Sequence, residues 1–160
     1  MIFTKRLRNH RGFTLIEVLI VVAIISILAS VVLIGLGPTR RLGRDARRIS
    51  DLRQVQNGLE LYFNRCGYYP GTAQASAPCG AFSAIASWAD LTAAISGSGF
   101  GSIPNDPTGG TNYLYGASAN GVGYVLGAKL EDAGSSALTQ DIDGIVNGVN
   151  CDDPVYCLQL

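Results

Sequence analysis

Residues 11–37 of the chain form an apolar stretch, RGFTLIEVLIVVAIISILASVVLIGLG. From Phe13 to Leu36 it carries one charged residue, Glu17. A helix of this length rises about 1.5 Å per residue and extends about 36 Å, which exceeds the roughly 30 Å of hydrocarbon in a bilayer. The sequence therefore predicts a helix over residues 13–36 that can cross a membrane.

Glu17 is the feature of this run that needs a reason. A charge at the centre of a bilayer costs about 2.5–3.5 kcal/mol on insertion scales. Because Glu17 lies near one end of the run, its cost is smaller. The simplest interpretation is an ordinary single-span membrane protein in which the Glu17 side chain reaches the interface.

Basic residues flank the apolar run on both sides. They are Lys5, Arg6, Arg8 and Arg11 before it, and Arg40, Arg41, Arg44, Arg47 and Arg48 after it. Counting positive charges does not fix the orientation and slightly favours a C-terminus on the inside. On a helix, Arg40, Arg44, Arg47 and Arg48 share about one third of the circumference. They could meet lipid headgroups, acids of neighbouring subunits or, less readily, DNA.

Four cysteines occur after the first 65 residues: Cys66, Cys79, Cys151 and Cys157. In a domain behind a membrane segment they indicate two disulfides and a location outside the cytoplasm. Three connectivities are open from sequence. We expect the near-neighbour pairs, Cys66–Cys79 and Cys151–Cys157, with free buried thiols as the alternative.

Residues 11–29, RGFTLIEVLIVVAIISILA, resemble the N-terminus of the type IV pilin and type II secretion pseudopilin superfamily. The shared features are a basic leader ending in glycine, then phenylalanine, then glutamate as the fifth residue after the glycine. The resemblance implies that a prepilin peptidase removes residues 1–12 by cutting after Gly12. It also implies that the new N-terminus, Phe13, is N-methylated and that Glu17 acts in filament assembly.

The same resemblance implies partners and a location. The partners are further copies of the chain, other pilin-like subunits, the peptidase, and an assembly platform with a cytoplasmic ATPase. The precursor would span the inner membrane once, and the assembled filament would be an extracellular pilus or a periplasmic filament. Nucleic acid is not an expected partner.

The charges near the expected new N-terminus suit a filament core. A cut after Gly12 gives Phe13 a positive amine, which the Glu17 carboxylate of the same or a neighbouring subunit can neutralise. Breaking a buried ion pair by removing one partner costs about 3–5 kcal/mol. A subunit in the wrong axial register would bury such an unpaired charge, so the pair can set register.

Residues 37–66 predict an amphipathic helix that continues the first one. Its apolar stripe is Ile49, Leu52, Val55, Leu59, Tyr62 and Phe63. Gly35, Gly37 and Pro38 are poor helix-interior residues and predict a kink or a melted turn between the two parts. Gly58 interrupts the stripe at a cost near 1 kcal/mol.

Residues 67–160 predict a globular head of the α+β class, with the long helix packed on a small antiparallel sheet. A short helix is expected within residues 83–96, with Trp88, Leu91 and Ile95 buried. Strands are expected at residues 112–117, 123–130 and 154–160, and the first two form a hairpin with a turn near Asn120-Gly121.

The acidic stretch of residues 141–153, DIDGIVNGVNCDD, is a candidate calcium site. Carboxylate and amide oxygens suit this ion, and the donors are Asp141, Asp143, Asn147, Asp152 and Asp153. The stretch lacks the spacing of a complete calcium loop, and a solvated acidic loop is the favoured interpretation. Major pseudopilins carry calcium in their C-terminal loop, so the resemblance supports the site.

The sequence gives no sign of an enzyme. The single histidine, His10, lies in the expected leader, and no phosphate-binding GK[ST] loop is present. We expect a structural subunit, major or minor, of a type IV pilus-like filament, because a disulfide such as Cys151–Cys157 is typical at the end of pilin domains. The alternative is a secretion pseudopilin, which GYYP (67–70) and IPNDP (103–107) resemble. A monomeric membrane-anchored binding module is less favoured.

Overall fold

The computed structural model describes residues 12–72, 79, 85–110 and 113–160, without the side chains of residues 33–36. Most of the expected leader and much of the loop around Cys79 lie outside the described residues. The chain divides into two compact units, one ending at Thr39 and one running from Arg40 to Leu160. Helix α1, Leu15–Cys66, contributes to both units.

The first unit consists of the apolar part of α1. Its most apolar 18-residue window has a mean hydropathy of 3.1, and none of that window is buried within the chain. By length and composition this helix can cross a membrane, as the sequence predicted. The prediction of a melted turn was wrong, because residues 35–38 are helical. Pro38 removes one backbone hydrogen bond, and the neighbouring bonds of a long helix hold the turn.

The second unit is built on the other part of α1. Leu52, Val55, Leu59 and Tyr62 are fully buried, and Ile49 and Phe63 pack against the core at partial exposure. The predicted apolar stripe is therefore confirmed.

Helix α2, Trp88–Gly97, covers the same core. Ser87 caps its first turn by accepting a hydrogen bond from the Asp90 amide, an arrangement that serine favours. Leu91 and Ile95 are buried as predicted. Trp88 is only half-buried, and its indole donates to the Pro104 carbonyl at 3.1 Å.

A three-stranded antiparallel sheet completes the core, in the order β1-β2-β5. Its strands are β1, Tyr113–Ala117, β2, Tyr124–Lys129, and β5, Val155–Gln159. Tyr113 pairs with Ala128 across β1 and β2, and Gly127 pairs with Cys157 across β2 and β5. The predicted hairpin, final strand and α+β class are confirmed.

A second, two-stranded hairpin was not predicted. It pairs β3, Ile145–Val146, with β4, Val149–Asn150. Its turn residues Asn147 and Gly148 have φ of 48° and 80°, the left-handed values that tight hairpin turns require. The Asn-Gly dipeptide between apolar residues was a usable signal for this hairpin, although only the oxygen donors of the stretch entered the prediction.

Candidate assembly segment and metal centre

The N-terminus of α1 is closed by a reciprocal pair of hydrogen bonds between Thr14 and Glu17. The Glu17 carboxylate oxygen Oε2 accepts from the Thr14 amide at 2.9 Å and from the Thr14 hydroxyl at 2.8 Å. The Thr14 hydroxyl in turn accepts from the Glu17 amide at 3.3 Å. This is a capping box, which satisfies amides that the first helical turn leaves unpaired.

The capping box gives Glu17 a structural role at the start of α1 that was not predicted. The motif was visible as T-x-x-E at residues 14–17. Both side-chain and main-chain donors of Thr14 use the same carboxylate oxygen, Oε2. Among the described residues nothing donates to Oε1, so this oxygen can receive an amine without breaking the cap.

Gly12 and Phe13 precede the helix in exposed, non-helical backbone. The Phe13 side chain is 86% exposed, and no atom lies within 4 Å of a Cβ built on Gly12. A peptide bond in this setting is accessible to a peptidase without unwinding α1.

A network of charges centred on Arg48 lies at the start of the second unit. Arg48 is 1% exposed. Its guanidinium donates to Asp106 at 2.6 Å, to Asp45 at 2.7 Å and to Glu131 at 2.9 Å. Asp45 also accepts from the amides of Glu131 and Asp132 at 3.0 Å. The turn of α1 at residues 45–48 is thereby bound to two loops that are distant in sequence, one at Asp106 and one at residues 131–132.

Arg44 completes the network. It binds the Glu131 carboxylate with two donors, its Nε at 2.6 Å and its Nη2. Hydrogen bonds from Arg44 and Arg48 lower the pKa of Glu131 to about 2. Glu131 is therefore ionised throughout the physiological pH range.

The sequence interpretation of the basic patch was wrong for Arg44 and Arg48, because both are taken up within the head. Their partners Asp106 and Glu131 lie 58 to 87 residues away in sequence, so local spacing could not reveal them. Arg47 lies 3.7 Å from Asp51 and is 63% exposed, and Arg40 is exposed.

Both near-neighbour cysteine pairs are joined in the structure. The Cα atoms are 5.8 Å apart in Cys66–Cys79 and 5.8 Å apart in Cys151–Cys157. The second disulfide connects the residue after β4 to the middle of β5.

Three of the four acidic candidates come together beside that disulfide. Asp141, Asp143 and Asp153 each place one carboxylate oxygen within 4.8 Å of the other two. Asp152 lies outside this cluster, and its Oδ1 accepts from the Gly144 amide at 3.1 Å. We call Asp141, Asp143 and Asp153 the acidic triad.

The acidic triad has the properties of a site for a hard cation. The Asp141 oxygen Oδ1 is buried, and no residue in the described part of the chain forms a hydrogen bond with it. A buried oxygen of this kind is costly unless it is paired. Burial raises the pKa of Asp141, and the charges of Asp143 and Asp153 raise it further. A divalent cation would satisfy the oxygen and offset the repulsion, and three carboxylates suit calcium.

Comparison with known proteins supports the interpretation of the N-terminus. Residues 7–33 match the family model described as the prokaryotic N-terminal methylation motif. The chain is 36% identical over 70 residues to the type II secretion system core protein G of Vibrio cholerae, covering 44% of this chain and 48% of that protein. The protein of the same name from Escherichia coli K12 is 35% identical over 66 residues, 41% of this chain and 46% of that protein.

These matches are partial. The core protein G of Aeromonas hydrophila is 36% identical over 67 residues, 42% of this chain and 47% of that protein. The chain thus spans about half the length of the curated relatives it matches. No solved structure matches it significantly. The chain is prepilin-like at its N-terminus, and the matches favour the pseudopilin alternative over the pilin that the sequence analysis preferred.

Proposed function

We propose that the chain is a pseudopilin-like structural subunit of a secretion-type filament. The observation that carries the proposal is the methylation motif of residues 7–33 joined to an apolar helix whose side chains no part of the described chain covers. The similarity to core protein G of type II secretion systems supports the secretion type over the pilus type. The role is structural, and no catalytic step is assigned to any residue.

The apolar part of α1 serves two environments in succession. It first anchors the precursor as a single span in the inner membrane, where lipid covers its side chains. After removal of residues 1–12, the same side chains pack against those of other subunits in the core of a periplasmic filament. The assembly machinery, a prepilin peptidase and a platform with its ATPase, acts from the membrane.

The capping geometry supports a pairing of the Phe13 amine with the Glu17 carboxylate. The Thr14 hydrogen bonds hold the carboxylate at the first turn of α1 through Oε2. The Phe13 amine of a neighbouring subunit then binds Oε1, and the charges cancel as the helices leave the bilayer. A subunit in another register would leave both charges unpaired, at about 3–5 kcal/mol.

A second property, calcium binding, is favoured by one specific observation. The Asp141 Oδ1 atom is buried and has no hydrogen-bond partner among the described residues. We propose that Asp141, Asp143 and Asp153 hold Ca²⁺, which supplies positive charge to the acidic triad and fixes the C-terminal loop.

Processing can be tested by intact-mass measurement of the protein purified from membranes of cells that express a prepilin peptidase. The expected mass corresponds to residues 13–160 with two disulfides and one added methyl group. The matched control is the same chain from cells with an inactive peptidase, which should retain residues 1–12. Retention of those residues beside an active peptidase that cleaves a known prepilin would overturn the proposal.

A further inference from the structure

Residues 141–144 carry Asp141 and Asp143, the first two residues of the acidic triad. The backbone amides of Cys151 and Cys157 form hydrogen bonds with the two ends of this segment. The Cys157 amide donates to Asp141 Oδ2 at 2.8 Å, and the Cys151 amide donates to the Gly144 carbonyl at 2.8 Å. Residues 141–144 are therefore held at both ends by the two residues that the disulfide joins.

The third carboxylate belongs to the disulfide loop itself. Asp153 lies between Cys151 and Cys157, which are six residues apart. Its neighbour Asp152 accepts from the Gly144 amide at 3.1 Å and ties the loop once more to the opposite segment. Asp153 thus lies inside the loop that the Cys151–Cys157 disulfide closes, and Asp141 and Asp143 lie on the segment that the amides of these cysteines bind.

The Cys151–Cys157 disulfide and the β3–β4 hairpin are closely packed. Cys151 and Cys157 are buried and pack with Val125 and Val149. A Cβ on Gly116 of β1 would lie 2.3 Å from the Asn147 carbonyl oxygen, so the β3–β4 turn rests directly on the sheet. The hairpin that separates the triad residues therefore has little room to move while the disulfide is intact.

We propose that the Cys151–Cys157 disulfide organises the acidic triad, so that the oxidised chain binds Ca²⁺ more tightly than the reduced chain. This inference rests on the proposed calcium site. A dithiol reductant converts the disulfide to two thiols with transfer of two electrons and two protons, and is itself oxidised to a disulfide. The freed loop must then be ordered by the ion, which weakens binding.

Thermodynamic linkage makes the effect reciprocal. If oxidation tightens Ca²⁺ binding by a given factor, bound Ca²⁺ stabilises the disulfide against reduction by the same factor. The site would therefore bind the ion in an oxidising compartment, where the disulfide forms, and release it in a reducing one.

The first test is calorimetric titration of the full chain in detergent micelles with CaCl₂. The test variant is Cys151→Ser/Cys157→Ser, and the matched control is Cys66→Ser/Cys79→Ser, which removes the other disulfide. We expect the dissociation constant to rise at least tenfold in the test variant and to stay within about twofold in the control. Equal affinities in wild type and a folded test variant would overturn the coupling.

The second test uses the wild type alone and decides the question if the test variant does not fold. The chain is incubated with dithiothreitol at increasing ratios of reduced to oxidised reagent, with and without CaCl₂, and free thiols are alkylated and located by mass spectrometry. We expect Ca²⁺ to protect Cys151–Cys157 and not Cys66–Cys79. Equal reduction of Cys151–Cys157 with and without the ion would contradict the inference.

These outcomes separate the proposals from one another. Failure of the oxidised wild type to bind Ca²⁺ would refute the calcium site and the coupling together. It would leave the filament proposal standing, because that proposal rests on residues 7–33 and on processing after Gly12.

Discussion

Arg48 shows how a single buried charge can fix the base of the head. Three carboxylates, those of Asp45, Asp106 and Glu131, take up its donors. Desolvating such groups is costly, so an ion-pair network of this kind specifies geometry more than it adds net stability. Its effect here is to lock the helical turn at residues 44–48 onto the loops at Asp106 and Glu131.

We predict that Arg48→Met destabilises the head by about 3–5 kcal/mol, because it removes the buried positive charge that the carboxylates of Asp45, Asp106 and Glu131 share. Urea unfolding of the full chain in detergent micelles, followed by tyrosine fluorescence, measures the change. Arg41→Met is the matched control, since Arg41 is exposed and makes no hydrogen bond or ion pair among the described residues. It should change stability by no more than about 0.5 kcal/mol. Similar effects from both variants would show that the network does not hold the fold.

At the scale of the element, Gly58 explains how α1 packs on α2. A Cβ at this position would lie 2.9 Å from the Ile95 methyl group Cγ2 and 3.1 Å from Phe100 Cδ1. The glycine therefore permits a close approach of α2 and the following loop to α1. The cost of glycine in a helix, about 1 kcal/mol, is offset by this packing.

Alanine substitutions at Gly58 and Gly43 should distinguish the effect of helix propensity on stability from the effect of packing against α2. Gly58→Ala is expected to destabilise the head by about 1 kcal/mol, since overpacking costs about 1–3 kcal/mol and the gain in helix propensity is about 1 kcal/mol. Gly43→Ala is the matched control in the same helix, with no atom within 4 Å of the added Cβ. It should stabilise by up to about 1 kcal/mol. The same urea titration reports both, and stabilisation by Gly58→Ala would show that Ile95 moves aside freely.

The elements differ in how far local sequence predicts them. The helices and the three-stranded sheet follow from the spacing of apolar residues and from turn residues, which are local signals. The capping box and the β3–β4 hairpin also had local signals, T-x-x-E and Asn-Gly, that the sequence analysis did not use. The partners of Arg44 and Arg48 had none, because the tertiary fold alone brings Asp106 and Glu131 to them.

The acidic triad was predictable only in part. Its composition indicated oxygen ligands, and three of the four acidic candidates do cluster. The exclusion of Asp152 depends on the turn after Cys151, where its side chain binds the Gly144 amide instead. The hydrogen bond from the Cys157 amide to Asp141 joins β5 to a loop 16 residues away in sequence, and sequence spacing does not encode it.

At the scale of the whole molecule, the two units divide the proposed work. The first unit carries the motif of processing and assembly on an apolar helix, and the second is a disulfide-closed α+β head with its own core. Gly12 and Phe13, the proposed processing residues, and Glu17, the proposed assembly residue, could be singled out from the sequence because their spacing is itself the motif. Which neighbouring subunit supplies the amine for Glu17 is a property of the filament.

Filament assembly in Glu17 and Thr14 variants tests the central claim most directly. Glu17→Gln removes the charge and retains an amide oxygen that can accept the Thr14 hydrogen bonds. Thr14→Ala keeps the charge and removes the hydroxyl half of the cap, at about 1 kcal/mol. Each variant is expressed with the peptidase and a type II secretion assembly system, and filaments are counted by electron microscopy at matched levels of processed subunit.

We expect filaments from the wild type and from Thr14→Ala. We expect at least a hundredfold fewer filaments from Glu17→Gln, because an unpaired amine in the core costs about 3–5 kcal/mol per subunit. Filaments from Glu17→Gln in wild-type number, composed of chains that begin at Phe13, would contradict this expectation.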